Sequence, residues 1–287
     1  MSASIQFSYE FFPPRSPEME RRLWRTVGQL ERLHPCFFSM TYGALGSAQH
    51  VSIESAIALH NETAVPLAAH LTCADAGPDQ VRQVASRFAA AGIDRIVALR
   101  GDAAESAAGE ARYAFPSALE LVMALGEIGE FDISVAAYPE GHPQAGSPIE
   151  DLQHLRRKLD AGAARAITQY FFDADCYLRF RDRAARIGID KPIVPGILPV
   201  HDLHRVKRFS ARCGASVPLH YDQSFARVEK DPSGQYRLAL DLAVELCERL
   251  QREGVQHFHL YTLNQTDICL DISLALGARL GAAPAAA

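Results

Sequence analysis

The sequence lacks paired cysteines. Its six, Cys36, Cys73, Cys176, Cys213, Cys247 and Cys269, are scattered with no CxxC, which excludes a zinc knuckle and a redox dithiol. It also lacks a positive excess: 29 Lys plus Arg stand against 34 Asp plus Glu, a formal charge of −5 with His neutral. A protein that grips a phosphate backbone needs a basic face, so no nucleic-acid partner is expected. Long apolar runs are missing too. The longest stretch without formal charge, Leu33 to Ile53, is broken by Pro35, Gly43, Gly46, Gln49 and His50, and no membrane span is expected. Met1 to Ser4 lead into a strand-like run with no basic and apolar leader, so a cytoplasmic address with reduced thiols is expected. Neither GxGxxG nor GxSxG occurs, which weighs against a Rossmann dinucleotide site and a serine nucleophile elbow.

What is present is an average globular composition, 48% hydrophobic and 22% charged over 287 residues, enough for one large core. Eight apolar, β-branched or aromatic runs recur: Ile5 to Phe12, Cys36 to Tyr42, Leu67 to Cys73, Arg95 to Leu99, Ile133 to Tyr138, Ala166 to Phe172, Ile193 to Leu198 and Phe258 to Leu263. Helical periodicity lies between them, as in Pro17 to Leu33, Pro78 to Ala91, Pro116 to Ile128, Ile149 to Ala161, Cys176 to Ile187 and Leu203 to Cys213. Ser16-Pro17-Glu18 reads as a capped helix start, and Gly92, Gly162, Gly188 and Gly214 as left-handed C-terminal caps. The runs look apolar on both faces, which suits a parallel sheet under helices. The expected fold is α/β, a single-domain (β/α)8 TIM barrel over 1–287, with an open doubly wound sheet as runner-up. A loop-rich insertion is expected at about 215–235, followed by a helix from Tyr236 to Arg252, and a frayed tail at 281–287.

In such a barrel chemistry gathers at the C-terminal strand ends. Glu10, flanked by aromatic residues in the first run, must be paired, neutralised or functional; burial would raise its pKa toward that of a general acid. Asp102 follows a strand and either pairs with Arg100 or points into the mouth. Gln169 reads as a ligand-reading amide or a satisfied core amide. Arg156-Arg157-Lys158 is either a phosphate contact or a solvated helix face. His257 and His259 share a strand face at ligand-compatible spacing, with His70 and His142 as possible helpers, but the set does not make a metal site and none is expected. His201 and His204 are expected to face solvent.

Taken in order, Tyr9-Glu10-Phe11-Phe12-Pro13-Pro14-Arg15, Thr41-Tyr42-Gly43-Ala44, His70-Leu71-Thr72-Cys73, Ala98-Leu99-Arg100-Gly101-Asp102, Val135-Ala136-Ala137-Tyr138-Pro139-Glu140, Thr168-Gln169-Tyr170-Phe171-Phe172-Asp173, Pro195-Gly196-Ile197-Leu198-Pro199 and Phe258-His259-Leu260-Tyr261-Thr262-Leu263-Asn264 resemble the flavin-dependent 5,10-methylenetetrahydrofolate reductases. The resemblance covers nearly the whole chain, in the bacterial catalytic-domain form. It implies a barrel holding FAD, reduced by NADH or NADPH, that converts 5,10-methylenetetrahydrofolate to 5-methyltetrahydrofolate by ping-pong kinetics, in the service of methionine biosynthesis, and a homo-oligomer. It implies Glu10 as the acid for folate N10 and Asp102 as the negative charge beside flavin and pterin. Gln169 and Phe209 would contact folate or nicotinamide. For FAD it implies Thr41, Tyr42, Ala44, His70, Leu99, Arg100, Gly101, Asp102, Tyr113, Ala114, Tyr138, His142, Asp151, His154, Arg157, Lys158 and Ile167. Two positions depart from the family pattern: His154 stands where Asn is frequent, and Gln265 where Arg is, so a cationic grip on folate is missing there. Alternatives are a flavin-independent reductase of the same folate, a folate- or flavin-binding barrel without turnover, and a metal-dependent hydrolase.

Overall fold

The computed structural model describes residues 5–43, 49–74, 76–101 and 114–281. Nine parallel strand segments alternate with ten helices among these residues. The strands are β1 (Gln6–Phe11), β2 (Phe37–Met40), β3 (Leu67–Thr72), β4 (Arg95–Leu99), β5 (Asp132–Ala137), β6 (Arg165–Thr168), β7 (Ile193–Val194), β8 (Gly196–Ile197) and β9 (His257–Tyr261). The helices are α1 (Pro17–Leu30), α2 (Gln49–Glu62), α3 (Pro78–Ala90), α4 (Ala118–Ile128), α5 (Pro148–Asp160), α6 (Ala174–Arg186), α7 (Leu203–Cys213), α8 (Leu219–Arg227), α9 (Pro232–Arg252) and α10 (Thr266–Ala275).

The strand order is β7-β6-β5-β4-β3-β2-β1-β9-β8. Because β7 and β8 are consecutive in the chain, separated only by Pro195, they form one bent stave that pairs with β6 on one side and β9 on the other. The nine segments therefore make eight staves and a closed TIM barrel. Proline has no N–H for the ladder; its carbonyl accepts instead from His259 N at 3.0 Å. Gly196 then donates to Thr168 Oγ1 at 2.9 Å. A Cβ at Gly196 would lie 2.2 Å from the Thr168 carbonyl oxygen, so the bend requires glycine.

Alternation along each strand sorts the residues. Phe7, Tyr9, Phe11, Phe38, Met40, Leu71, Ile96, Val135, Phe258 and Leu260 face outward and join the large core under the helices. Phe37, Ala68, Val97, Ile167 and Val194 form a separate, smaller cluster inside the barrel. The inward face is not uniformly apolar as the runs implied. Ser8, Ser39, His70, Ser134 and His259 are buried on it.

Helix starts follow local chemistry. Ser16, Ser117, Ser147, Asp173 and Asp202 accept from backbone N–H groups of the first turns of α1, α4, α5, α6 and α7. Gly92, Gly162, Gly188 and Gly214 take φ of 85°, 127°, 85° and 77°, the left-handed stops expected of them. The segment 215–235 is not loop-rich: it carries α8 and the first turn of α9, which begins at Pro232 rather than Tyr236. No helix among the described residues is long and apolar enough to cross a membrane.

Candidate active site

At the C-terminal half of β1, Glu10 points inward between Ser39 of β2 and Tyr261 of β9 in the ladder. Its side chain keeps one-fifth of its exposure, while His70 and His259 beside it are nearly sealed at 6% and 1%. Glu10 Oε2 lies 3.4 Å from His70 Nε2 and 3.6 Å from His259 Nε2. Burial pushes the Glu10 carboxyl above the usual range, with His70 pulling the other way. Burial likewise lowers His70, and lowers His259 to about 3. Burial thus disfavours the charged forms of all three groups and works against an ion pair among them. His259 Nδ1 lies 2.8 Å from Ser8 Oγ, which also meets His257 Nε2 at 3.0 Å. The two histidines of β9 are therefore tied to one serine. Ser39 Oγ, Thr41 Oγ1, His70 Nε2 and His259 Nε2 are buried without a hydrogen-bond partner among the described residues.

The turn after β9 builds the rim beside Glu10. Thr262 Oγ1 donates to the Glu10 carbonyl at 2.7 Å. Asn264 Nδ2 donates to Phe12 O at 2.9 Å, and its Oδ1 accepts from Phe12 N at 3.1 Å. Leu263 and Asn264 hold φ of 48° and 54°, a left-handed pair costing about 1–2 kcal/mol per residue. The side-chain amide offsets that cost by continuing the β1 to β9 pairing where the strand has ended.

A cavity of about 450 Å³ opens over the ends of β4 and β5, against α4 and α5. Leu99, Arg100, Gly101, Tyr138, His142, Asp151, His154, Arg157 and Lys158 all line it. Gly101 has φ 76°, and a Cβ there would come 2.8 Å from Thr72 Cβ, so backbone rather than side chain forms that wall. Lys158 is buried, with Nζ donating to Ala136 O at 2.7 Å. Burial, opposed by Asp151, lowers its amine to about 8. His154 is held at about 4 by burial and by the charges of Lys158 and Arg157. Asp151 Oδ2 accepts from His142 N at 3.1 Å, and the His142 ring meets Tyr138 edge-on at 4.6 Å.

The basic triplet of α5 divides. Arg157 and Lys158 turn to the cavity, whereas Arg156 is exposed and bonds Ile187 O and Asp160. Ile167 belongs to the cluster inside the barrel, and Tyr42 is buried at the end of β2. Ala114 donates its N–H to Cys73 O at 2.7 Å. Gln169 lies in a small adjoining depression with Tyr138, Glu140, Tyr170 and Cys213, and its Oε1 accepts from Tyr170 N at 3.0 Å. Neither Phe209 nor Gln265 lines either cavity. Phe209, on α7, lies under the Arg205 guanidinium at 5.3 Å, and Gln265 occupies the N-cap position of α10. His204 is exposed, but His201, expected in solvent, has its Nε2 buried. Asp102, Ala44 and Tyr113, and with Asp102 its possible pairing to Arg100, lie outside the described residues, as does 282–287 of the tail.

Sequence reasoning missed Ser8, Ser39 and Tyr261 as neighbours of Glu10. The signal was period-two spacing from Glu10 and from His259, usable only once the strands were paired. Ser117 and Gln144, which also line the cavity, carried no signal.

Comparison with known proteins places the chain in a family. The family model described as methylenetetrahydrofolate reductase matches residues 1–277. The 5,10-methylenetetrahydrofolate reductase of Escherichia coli (strain K12) is 43% identical over 281 residues, covering 98% of this chain and 94% of that protein. Methylenetetrahydrofolate reductase (NADH) 1 of Zea mays is 32% identical, covering 94% of this chain and 48% of that protein. Among solved structures, a Clostridium thermocellum protein that binds two copies of 5-methyl-5,6,7,8-tetrahydrofolic acid superposes with a TM-score of 0.64 over 95% of this chain and 94% of its own, at 15% identity. That last likeness speaks for the barrel alone. With the family model spanning nearly every residue and a bacterial relative matching end to end, this chain belongs to the methylenetetrahydrofolate reductase family.

Proposed function

We propose that this chain reduces 5,10-methylenetetrahydrofolate to 5-methyltetrahydrofolate with electrons from NADH or NADPH, using bound FAD and Glu10 as general acid. The observation that carries the reading is Glu10 itself: a carboxyl with raised pKa, one-fifth exposed, at the mouth of a barrel of this family. An acid still protonated near neutral pH can give its proton to folate N10, which opens the imidazolidine ring and leaves an iminium carbon ready for hydride.

The cavity residues fit FAD. Lys158 is buried in the wall with its charged form disfavoured, and an anion such as a pyrophosphate placed there would offset that penalty. Arg157 would add a second cation, and Asp151 and His142 acceptors and donors for ribose or ring edges. The partnerless buried Thr41 Oγ1 is unmet hydrogen-bonding capacity of the kind a ligand supplies. When bound, FAD supplies a hydride relay between the nicotinamide and the folate, so the two substrates can use one site in turn. The chain's own residues bind, orient and protonate; no side-chain nucleophile is needed.

The test is an absorbance spectrum of the purified protein, followed by anaerobic NADH and then methylenetetrahydrofolate. A yellow protein bleached by NADH and recoloured by the folate is expected. Glu10→Gln should bleach normally yet recolour about 10²–10⁴-fold more slowly. A protein colourless after reconstitution with FAD, or Glu10→Gln recolouring at the unaltered rate, would overturn the proposal.

A further inference from the structure

Beside Glu10 runs a hydrogen-bonded chain with no role in the chemistry above. Ser8 Oγ lies within bonding distance of both His257 Nε2 and His259 Nδ1, at 3.0 and 2.8 Å. Ser8 has one proton to donate, so it donates to one ring and accepts from the other. His259 is neutral, with one ring nitrogen protonated, and Ser8 therefore decides which. On the far side of that ring, Nε2 faces Glu10 Oε2, and His70 Nε2 faces the same oxygen. Both Nε2 atoms are buried and have no partner in hydrogen-bonding geometry. Phe37 packs against both rings of β9, at 5.7 Å from His259 and 6.0 Å from His257, and fills the lumen beside them.

Resting on the reading of Glu10 as the acid, we propose that Ser8 and His257 are positioning residues that fix the tautomer of His259, so that both flanking imidazoles donate to Glu10 Oε2 and the transferable proton sits on Oε1, facing the ligand. The chain runs in one direction. His257 Nε2–H donates to Ser8 Oγ, the Ser8 hydroxyl donates to His259 Nδ1, and His259 Nε2–H is left to donate to Oε2. Small carboxyl movement closes the 3.4 and 3.6 Å separations, as catalytic hydrogen bonds tighten when a ligand binds. The opposite polarity would aim a bare Nε2 at Oε2, draw the carboxyl proton there and turn it away from the mouth. The same two donors stabilise the carboxylate that remains after transfer. Of the groups neighbouring Glu10, Tyr261 is occupied otherwise, donating to Thr168 O at 2.7 Å, and Ser39 Oγ makes no hydrogen bond to it among the described residues, whereas His70 and His259 both face its Oε2.

Nitrogen NMR of ¹⁵N-histidine-labelled protein reads the tautomer directly, without turnover. The expected result is a bare Nδ1 and protonated Nε2 on His259 in the wild type, with that pattern lost in Ser8→Ala and kept in Ser8→Thr. In rapid mixing, Ser8→Ala should be reduced by NADH at the normal rate but pass electrons to methylenetetrahydrofolate about 10- to 100-fold more slowly, the loss expected for one charge-assisted hydrogen bond. Ser8→Thr should recover most of that loss, which a merely structural defect would not predict. A protonated Nδ1 on wild-type His259, or an unaltered folate step in Ser8→Ala, overturns the positioning role. Glu10→Gln separates the two readings: inert Glu10→Gln with normal Ser8→Ala removes the positioning alone, and active Glu10→Gln removes the acid and the positioning with it.

Discussion

The two faces of β1 are both largely buried and chemically opposite. Phe7, Tyr9 and Phe11 point toward the helices at 3%, 0% and 0% exposure, while Ser8, between them at 0%, points into the barrel with Glu10. Burial alone does not distinguish structure from function here; partners do. The outward rings pack tilted or edge-on against Phe38 and Phe258, and the one outward hydroxyl, Tyr9, is satisfied by Ser273 Oγ at 2.7 Å. Inward, four polar atoms around the site are left without partners among the described residues. Dispersion and transfer free energy hold the outer face together, whereas the inner face spends burial on groups whose ionisation it opposes.

Substitutions should separate the faces. Phe11→Ala should lower unfolding free energy in urea by about 3–5 kcal/mol and leave the rate of folate reduction unchanged wherever the protein stays folded; a large kinetic defect would break the distinction. Glu10→Gln should behave in reverse. A carboxyl whose folded pKa is raised contributes stability at low pH that is lost as pH rises through its folded value, so the variant should match the wild type in acid and exceed it in alkali. An intermediate effect concerns acid. His257 and His259 are lowered from 6.5 to about 4 and about 3, so their contribution is complete above the unfolded value and drains away as pH falls toward the folded ones. Urea midpoints should therefore drop between about pH 6.5 and about pH 4, equally in Phe11→Ala, since the outer face adds no titrating histidine. The smallest effect belongs to neither face: Ser16→Ala, which removes the hydroxyl accepting from Met19 N at 3.2 Å, should cost about 1 kcal/mol with no change in activity.

The same contrast explains what could be read in advance. Ser16, Pro17 and the left-handed glycines mark their elements through neighbours only a few residues away, so the helix ends and the eight staves were legible. The 215–235 segment was not, because α8 is short and begins at Leu219, with Pro218 at the N-cap and no side-chain cap, so its turn-rich composition outweighed its periodicity. Nor was the bent stave: Ile193 to Leu198 reads as one run, and only the clash awaiting a Cβ at Gly196 shows why it changes partners. At the site, Glu10 stood out as a charge in an aromatic run. Its companions did not, since His259 and Ser8 meet across 251 positions, and nothing local in either strand announces the other. Charge and spacing did not separate Arg157 and Lys158 from Arg156; the resemblance did, and the face of α5 they occupy gives the physical reason.

That long reach has a consequence for how the molecule is made. β1 leads the described chain, yet one of its two lateral neighbours, β9, arrives only after residue 256. Until then the first strand carries an open edge, and the carboxyl at position 10 has no imidazole from the last stave beside it. Contacts of such sequence separation form slowly because the intervening chain must first be brought together. Catalytic competence should accordingly emerge in a single late step during synthesis, with the ring shutting and the acid acquiring its surroundings at the same moment.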